Sequence, residues 1–238
     1  MTSQPSAVSR PPSAIVALDV PTLAAARSLV DRLGSTADFY KVGLQLYTAE
    51  GPRVVEWLHG AGKRVFLDLK LHDIPNTVRG AARSAAALGV QLLTVHAIGG
   101  DAMLAAAVEG GGAQTGILAV TVLTSMTQDD LEAARGHAVS SVGDEVRRLA
   151  QMAARTGAHG IVCAGHEVAL VRQAHGDALR TLVPGIRLGG TSANDQARVM
   201  TPREAAQVGA SYVVIGRTVT AAEDPEAAMR AVLSELKG

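Results

Sequence analysis

The feature that most constrains this chain is a regular alternation of short apolar runs with alanine-rich amphipathic stretches, sustained from residue 15 almost to the C-terminus. The apolar runs cover residues 15–20, 39–43, 64–69, 92–96, 117–122, 160–164, 181–184 and 212–216, each of strand length. Between them, residues 23–33, 54–61, 78–88, 102–108, 144–155, 167–173 and 203–208 carry apolar side chains at helical spacing. A last helix is predicted over 225–236, with Asp224 as its N-cap ahead of Pro225. Eight strands, each followed by a helix, in about 225 residues predict an α/β fold of the (β/α)8 barrel type. One catalytic-sized domain over 13–238 accounts for the whole pattern. An open doubly wound sheet is the competing architecture. It calls for a glycine-rich first turn, whereas the first strand here runs into Asp19-Val20-Pro21-Thr22.

Composition removes several function classes. The formal net charge of the 238 residues is zero, so there is no electrostatic footprint for nucleic acid or for an anionic membrane. No apolar stretch reaches the length of about 18 residues that a transmembrane helix needs. The single cysteine, Cys163, excludes an internal disulfide framework and suits a reducing compartment. Its setting, Ile161-Val162-Cys163-Ala164-Gly165, predicts a small core residue in a buried strand. Residues 1–12 lack the apolar segment of a signal peptide and predict a disordered N-terminal tail, with a cytoplasmic location as the consequence.

In a barrel of this kind the chemistry sits at the C-terminal ends of the strands. Strand one ends at Asp19, strand two at Lys41, strand three at Asp68 and Lys70, and strand four at His96. Strand five leads into Thr121, Thr124 and Ser125, strand seven into Pro184-Gly185-Ile186-Arg187, and strand eight into Gly216-Arg217. The third strand is the most informative. A period of two sends Asp68 and Lys70 to one face and Leu67, Leu69 and Leu71 to the other. A lone buried carboxylate or ammonium is costly, so the two are expected to neutralise each other, and Asp73 adds a second acid three residues on. Such a pair is either a structural ion pair in a core strand or a reactive site. Its place at a strand end, running straight into a loop, favours the reactive site.

Lysine occurs only at positions 41, 63, 70 and 237, while arginine supplies the remaining basic charge. An ammonium can give up a proton and a guanidinium cannot, so lysines kept at two strand ends fit a chemical role. Chance survival under a composition bias would give the same pattern. Asp68 beside Lys70 favours the protonated amine, which argues against a Schiff-base lysine and for a general acid or an electrostatic clamp. A Mg2+ site built on the acids is the alternative, although lysines interleaved among them would repel the ion.

A second cluster joins the loop Pro184-Gly185-Ile186-Arg187-Leu188-Gly189-Gly190 to Gly216-Arg217. Loops after the seventh and eighth barrel strands commonly hold phosphate through backbone N–H groups. Glycine lets the backbone approach the anion, Arg217 offers two donors, and Gln196 is placed to close over it from the long loop after strand seven. Tight turns and a surface arginine are the plainer reading of the same residues. His96 is expected to be a hydrogen-bonded residue lining the site, and His59 and His72 lack metal-ligand spacing, so no metal is assigned.

Several stretches, in order along nearly the whole chain, resemble the orotidine 5'-monophosphate decarboxylase family. They are Ala17-Leu18-Asp19-Val20, Lys41-Val42-Gly43, Thr48-Ala49-Glu50-Gly51-Pro52, the run from Phe66 to Thr77, Val95-His96-Ala97, Pro184-Gly185-Ile186-Arg187 and Val214-Ile215-Gly216-Arg217, with the segment 119–126 between them. The D-x-K-x-x-D element of residues 68–73 is shared with hexulose-phosphate synthase and keto-gulonate-phosphate decarboxylase, which use Mg2+; the continuation His72-Asp73-Ile74-Pro75-Asn76-Thr77 is the discriminating part. Ile98 stands where a small polar residue is expected after His96-Ala97.

The resemblance implies a cofactor-free decarboxylation that leaves a carbanion at C6 of the pyrimidine. It makes Lys70 the acid that stabilises and protonates that carbon, and places Asp68 near the departing carboxylate. Lys41 and Asp19 would hold the ribose hydroxyls and orient Lys70, and Thr124 with Ser125 would face the base. Arg187, Gln196, Gly216 and Arg217 would take the phosphate, with Ile74 and Pro184 completing the substrate contacts. Asp73 and Thr77 lie beyond strand three, from where they cannot easily double back. The resemblance implies a homodimer in which these two residues enter the partner's site.

Overall fold

The computed structural model of the protein describes residues 11–189 and 199–238. Most of the expected N-terminal tail, and Gln196, lie outside the described residues. Eight parallel strands pair in chain order and close into a barrel. They are β1 (Ser13–Ala17), β2 (Phe39–Gly43), β3 (Arg64–Leu71), β4 (Leu92–His96), β5 (Gly116–Val120), β6 (Gly160–Val162), β7 (Arg180–Val183) and β8 (Tyr212–Ile215). Closure runs through β1 and β8, where Ser13 to Val16 lie opposite Tyr212 to Ile215. The helices between them are α1 (Leu23–Leu33), α2 (Leu44–Glu50), α3 (Arg53–Gly60), α4 (Pro75–Ala87), α5 (Asp101–Gly111), α6 (Gln128–Arg135), α7 (Val142–Arg155), α8 (Val168–His175), α9 (Pro202–Gln207), α10 (Arg217–Thr220) and α11 (Pro225–Lys237).

The strands are apolar on both sides because both sides are covered, as a parallel sheet requires. One set of alternate residues, Ile15, Ala17, Phe39, Phe66, Leu92, Leu118, Leu182 and Val214, forms a buried cluster inside the ring. The other set, including Val16, Tyr40, Val65, Leu67, Leu93 and Ile117, packs with helix residues such as Leu29, Leu58, Val78 and Leu104. Each Val, Leu, Ile or Phe among them, fully buried, contributes about 1.5–3 kcal/mol of transfer free energy. The inner set has a direct consequence for function. Two residues beyond Ala17, Phe39, Phe66 and Leu92 on the same face come Asp19, Lys41, Asp68 and Thr94. The period that packs the barrel floor therefore delivers polar groups to its mouth.

Helix starts follow local chemistry. Thr22 accepts from the Ala25 N–H at 3.2 Å and Asp224 from the Ala227 N–H at 2.9 Å, the latter as the sequence predicts. Three helices lie outside the sequence-based expectation. In α2 the helix begins at Leu44 with no gap after β2, so no loop marks its start. The mostly exposed α6 buries only Leu131 and is held instead by a capping box between Thr127 and Asp130 and by Gly136 in the left-handed region. The four residues of α10 are too few to show periodicity. Cys163 is buried in the core, as expected.

Candidate active site

A cavity of about 440 Å3 opens at the C-terminal mouth of the barrel, lined by Asp19, Lys41, Asp68, Lys70, Thr124 and Arg187 among others. Four of these side chains form an alternating chain of charge. Lys41 Nζ donates to Asp19 Oδ1 at 2.8 Å and lies 3.6 Å from Asp68 Oδ2. Lys70 Nζ donates to Asp68 Oδ1 at 2.8 Å. Lys41 and Asp68 are buried, whereas the Asp19 side chain is 60% exposed at the rim. Burial alone would raise the Asp68 pKa. The ammonium groups of Lys41 and Lys70, with hydrogen bonds from Lys70 and Thr94, outweigh it and hold the carboxyl below the usual carboxylate range. The anion at the centre of the array is thus kept ionised by the cations on either side.

Lys70 reaches Asp68 by an unusual backbone route. It is the one non-glycine residue with positive φ, at +50°, among the described residues. Leu67 pairs with Leu93 and Leu71 with Val95, so four steps along β3 oppose two along β4. This bulge breaks the ladder at the residues that carry the charges. The sequence-based parity still holds in its result, because Leu69 and Leu71 pack against the outer apolar cluster while Asp68 and Lys70 line the mouth.

Thr94, on β4, lies outside the site that the sequence predicts. Its side chain is fully buried; Oγ1 accepts from the Lys70 backbone N–H at 2.9 Å and donates to Asp68 Oδ1 at 2.8 Å. Gly43 also bears on the geometry of the array. A Cβ there would stand 2.9 Å from Lys41 Nζ and 3.1 Å from Asp19 Oδ1, so the missing side chain makes room for that ion pair. His96 requires a correction. Instead of lining the cavity it sits against His72, with ring centroids 5.7 Å apart. Burial, His72 and Lys70 push its pKa down, which favours the neutral ring.

The opposite rim gathers Pro184, Gly185, Arg187, Gly216 and Arg217 around the same cavity, as the sequence predicts. Gly185 adopts φ +77°, a conformation that favours glycine, and lets the chain turn into a bridge between Ile186 and Met200. Arg187 is buried and donates from Nη1 to the Ile186 carbonyl at 3.0 Å, while Arg217 opens α10 and is exposed. Thr124 lines the cavity, but the neighbouring Ser125 is exposed and does not. Asp73, Ile74 and Thr77 are exposed and stand outside this cavity. Asp73 Oδ1 accepts locally from the Ile74 N–H at 2.6 Å.

Fold and site together define a (β/α)8-barrel enzyme with a preorganised charge array in its mouth. The orotidine 5'-phosphate decarboxylase / HUMPS family model matches residues 12–232, and the chain belongs to that family. It is 52% identical over 223 residues to the orotidine 5'-phosphate decarboxylase of Anaeromyxobacter sp. (strain K), covering 92% of this chain and 96% of that one. It is 49% identical over 231 residues to the enzyme of the same name from Moorella thermoacetica, covering 94% and 91%. The crystal structure of orotidine 5'-phosphate decarboxylase from Lactobacillus acidophilus superposes with a TM-score of 0.85 at 36% identity, over 96% of this chain and 100% of that one. Among the described residues no helix is long and apolar enough to cross a membrane.

Proposed function

We propose that this enzyme converts orotidine 5'-monophosphate to uridine 5'-monophosphate and CO2, in the synthesis of pyrimidine nucleotides, with Lys70 as the acid. The observation that carries this reading is the array Asp19–Lys41–Asp68–Lys70, in which a buried anion is clamped between two ammonium groups at 2.8 and 3.6 Å. The bond from C6 of the pyrimidine to the carboxylate breaks, CO2 leaves, and the electron pair stays on C6. The Lys70 ammonium stabilises that charge and then transfers a proton to C6, and the resulting amine recovers a proton from water. Asp68 lies near the departing carboxylate in this reading. A fixed field that favours a carbanion beside Lys70 over a carboxylate beside Asp68 lowers the barrier without rearrangement during the reaction. Lys41 and Asp19 hold the ribose hydroxyls and orient Lys70; Thr124 faces the base. Arg187, Gly216 and Arg217 take the phosphate, whose remote binding contributes to the transition state.

The reaction needs neither metal nor organic cofactor in this reading. Its support is the donor set: lysines alternate with the acids, and among the described residues no three acids, histidines or cysteines group to hold an ion. An absorbance assay on orotidine 5'-monophosphate with EDTA present decides. Turnover is expected to be unaffected by chelator and to fall by at least about 10³-fold in Lys70→Ala, with circular dichroism unchanged. Turnover lost to EDTA and restored by Mg2+ would favour a metal-dependent aldolase or decarboxylase on the same barrel; a fully active Lys70→Ala would remove the assigned role.

The working unit is a homodimer, with Asp73 and Thr77 of each subunit completing the other's site. Large apolar side chains left exposed at Leu44, Ile74 and Ile98 follow the ends of the adjacent strands β2, β3 and β4, which puts them on one rim beside those residues. Separately inactive Lys70→Ala and Asp73→Asn proteins, when mixed and exchanged, are expected to recover about a quarter of wild-type activity through hybrid dimers with one intact site. No recovery, or a fully active monomer in sedimentation, would exclude the arrangement. The single buried Cys163 suits a reducing compartment, and we place the reaction in the cytoplasm.

A further inference from the structure

Lys70 carries two problems at once. Its backbone is in the left-handed region at φ +50°, where a non-glycine residue is held only if its surroundings over-determine it. It also lies in the stretch between Leu67 and Leu71 where β3 and β4 lose register, so the regular ladder no longer dictates where its N–H points. The Thr94 hydroxyl meets both. As acceptor it takes the Lys70 N–H at 2.9 Å, which fixes the backbone from which the ammonium is launched. As donor it holds Asp68 Oδ1 at 2.8 Å, the same oxygen to which Lys70 Nζ donates. One hydroxyl therefore ties together the main chain of the acid and the carboxylate that aims its side chain.

Thr94 is suited to this by burial and by stereochemistry. It is fully buried, so no water competes for either bond, and a β-branched side chain has few χ1 states to choose from. Its neighbours on the strand fix the register: Thr94 stands opposite Leu118 on β5, and Val95 opposite Leu71 on β3. Nothing in the ion-pair array itself supplies an equivalent restraint on the Lys70 backbone, since Lys41 and Asp19 contact the array through side chains alone.

We infer that Thr94 is a positioning residue for the decarboxylation, acting through Lys70 and Asp68 rather than on the substrate. The inference rests on the assignment of Lys70 as the acid. Thr94→Val keeps the shape and removes both bonds; Thr94→Ser keeps both. An interaction felt only in the transition state lowers kcat and kcat/KM together. Thr94→Val is therefore expected to lose about 10- to 100-fold in kcat with KM within about threefold of wild type, since a small misplacement of a reacting group has this order of effect. Thr94→Ser should stay within about threefold of wild type in both, because the hydroxyl is what is asked for.

Lys70→Ala measured alongside separates the two levels. If Lys70→Ala is dead and Thr94→Val retains wild-type kcat, even with a lowered melting temperature, Thr94 is merely structural and the inference fails alone. If Lys70→Ala is active, the assignment of the acid fails and the inference falls with it. Should Thr94→Val not fold, Thr94→Ala against Thr94→Ser decides in the same way. Serine active and alanine slow supports the role, and equal kcat values overturn it.

Discussion

The two ends of this barrel both open into cavities, and the larger is at the wrong end for the reaction. The N-terminal end holds about 760 Å3, bordered by Phe39, Arg64, Gln91, His159, Arg172 and Tyr212. The mouth, at about 440 Å3, is smaller. The difference lies in how charge is held. At the N-terminal end Arg64 pairs with Asp38 and Arg172 with Asp177, pairs whose acids stand open to water, and His159 meets the Tyr212 hydroxyl at 2.9 Å. Exposed pairs of that kind contribute about 0–1 kcal/mol. At the mouth Lys41 and Asp68 are buried together, and the acid is held ionised against its own desolvation. Volume measures where a molecule could enter. Convergent, desolvated, mutually dependent charges mark where one could be transformed.

That contrast can be broken most directly at its centre. Asp68→Asn keeps the volume but removes the anion between two ammonium groups, and kcat is expected to fall by about 10³-fold or more. Arg64→Ala at the far end should leave turnover within about twofold and, with the loss of its Asp38 pair and of its stacking on Phe39, shift stability by about 1–2 kcal/mol. Comparable losses in both variants, read by steady-state kinetics and thermal melts, would erase the distinction. A finer probe is Gly43→Ala. The added methyl presses on Lys41 Nζ and Asp19 Oδ1, both at the tips of side chains that can yield, so the fold should survive. The displaced ion pair should lower kcat/KM by about tenfold with the melting temperature little changed. Unaltered kinetics would show that the array tolerates movement and is less preorganised than its geometry implies.

Much of this was legible in the chain because the strongest signals were local. α1 and the strands β2 and β4 have the bounds that apolar periodicity predicts, since α1 lies between Thr22 and Gly34 and each strand opens just after a polar residue, Asp38 or Gln91. Asp19, Lys41, Asp68 and Lys70, which converge on one cavity, are readable because strand parity and the rule of C-terminal ends apply to them without knowledge of the partner strand. What escaped depends on contacts across the sheet. Thr94 reads as an ordinary β-branched strand residue in Leu92-Leu93-Thr94-Val95-His96, and its partners lie 24 and 26 residues away. The bulge at Lys70 carries no glycine or proline to announce it. The same holds for His96: its position at a strand end is sequence-readable, but the packing of His72 against it is not. The capping pair Thr127 and Asp130 was a readable signal for α6, obscured by how little of that helix is apolar.

The left-handed backbone at Lys70 has a consequence for how such an enzyme can change over generations. An ordinary side chain in that conformation costs on the order of 1–3 kcal/mol, which glycine would not incur. Selection for heat resistance alone would therefore act against a side chain at the position where the proposed function puts its acid. Hardiness and reactivity compete for a single codon, and a lineage exposed to heat must find its gains elsewhere in the barrel.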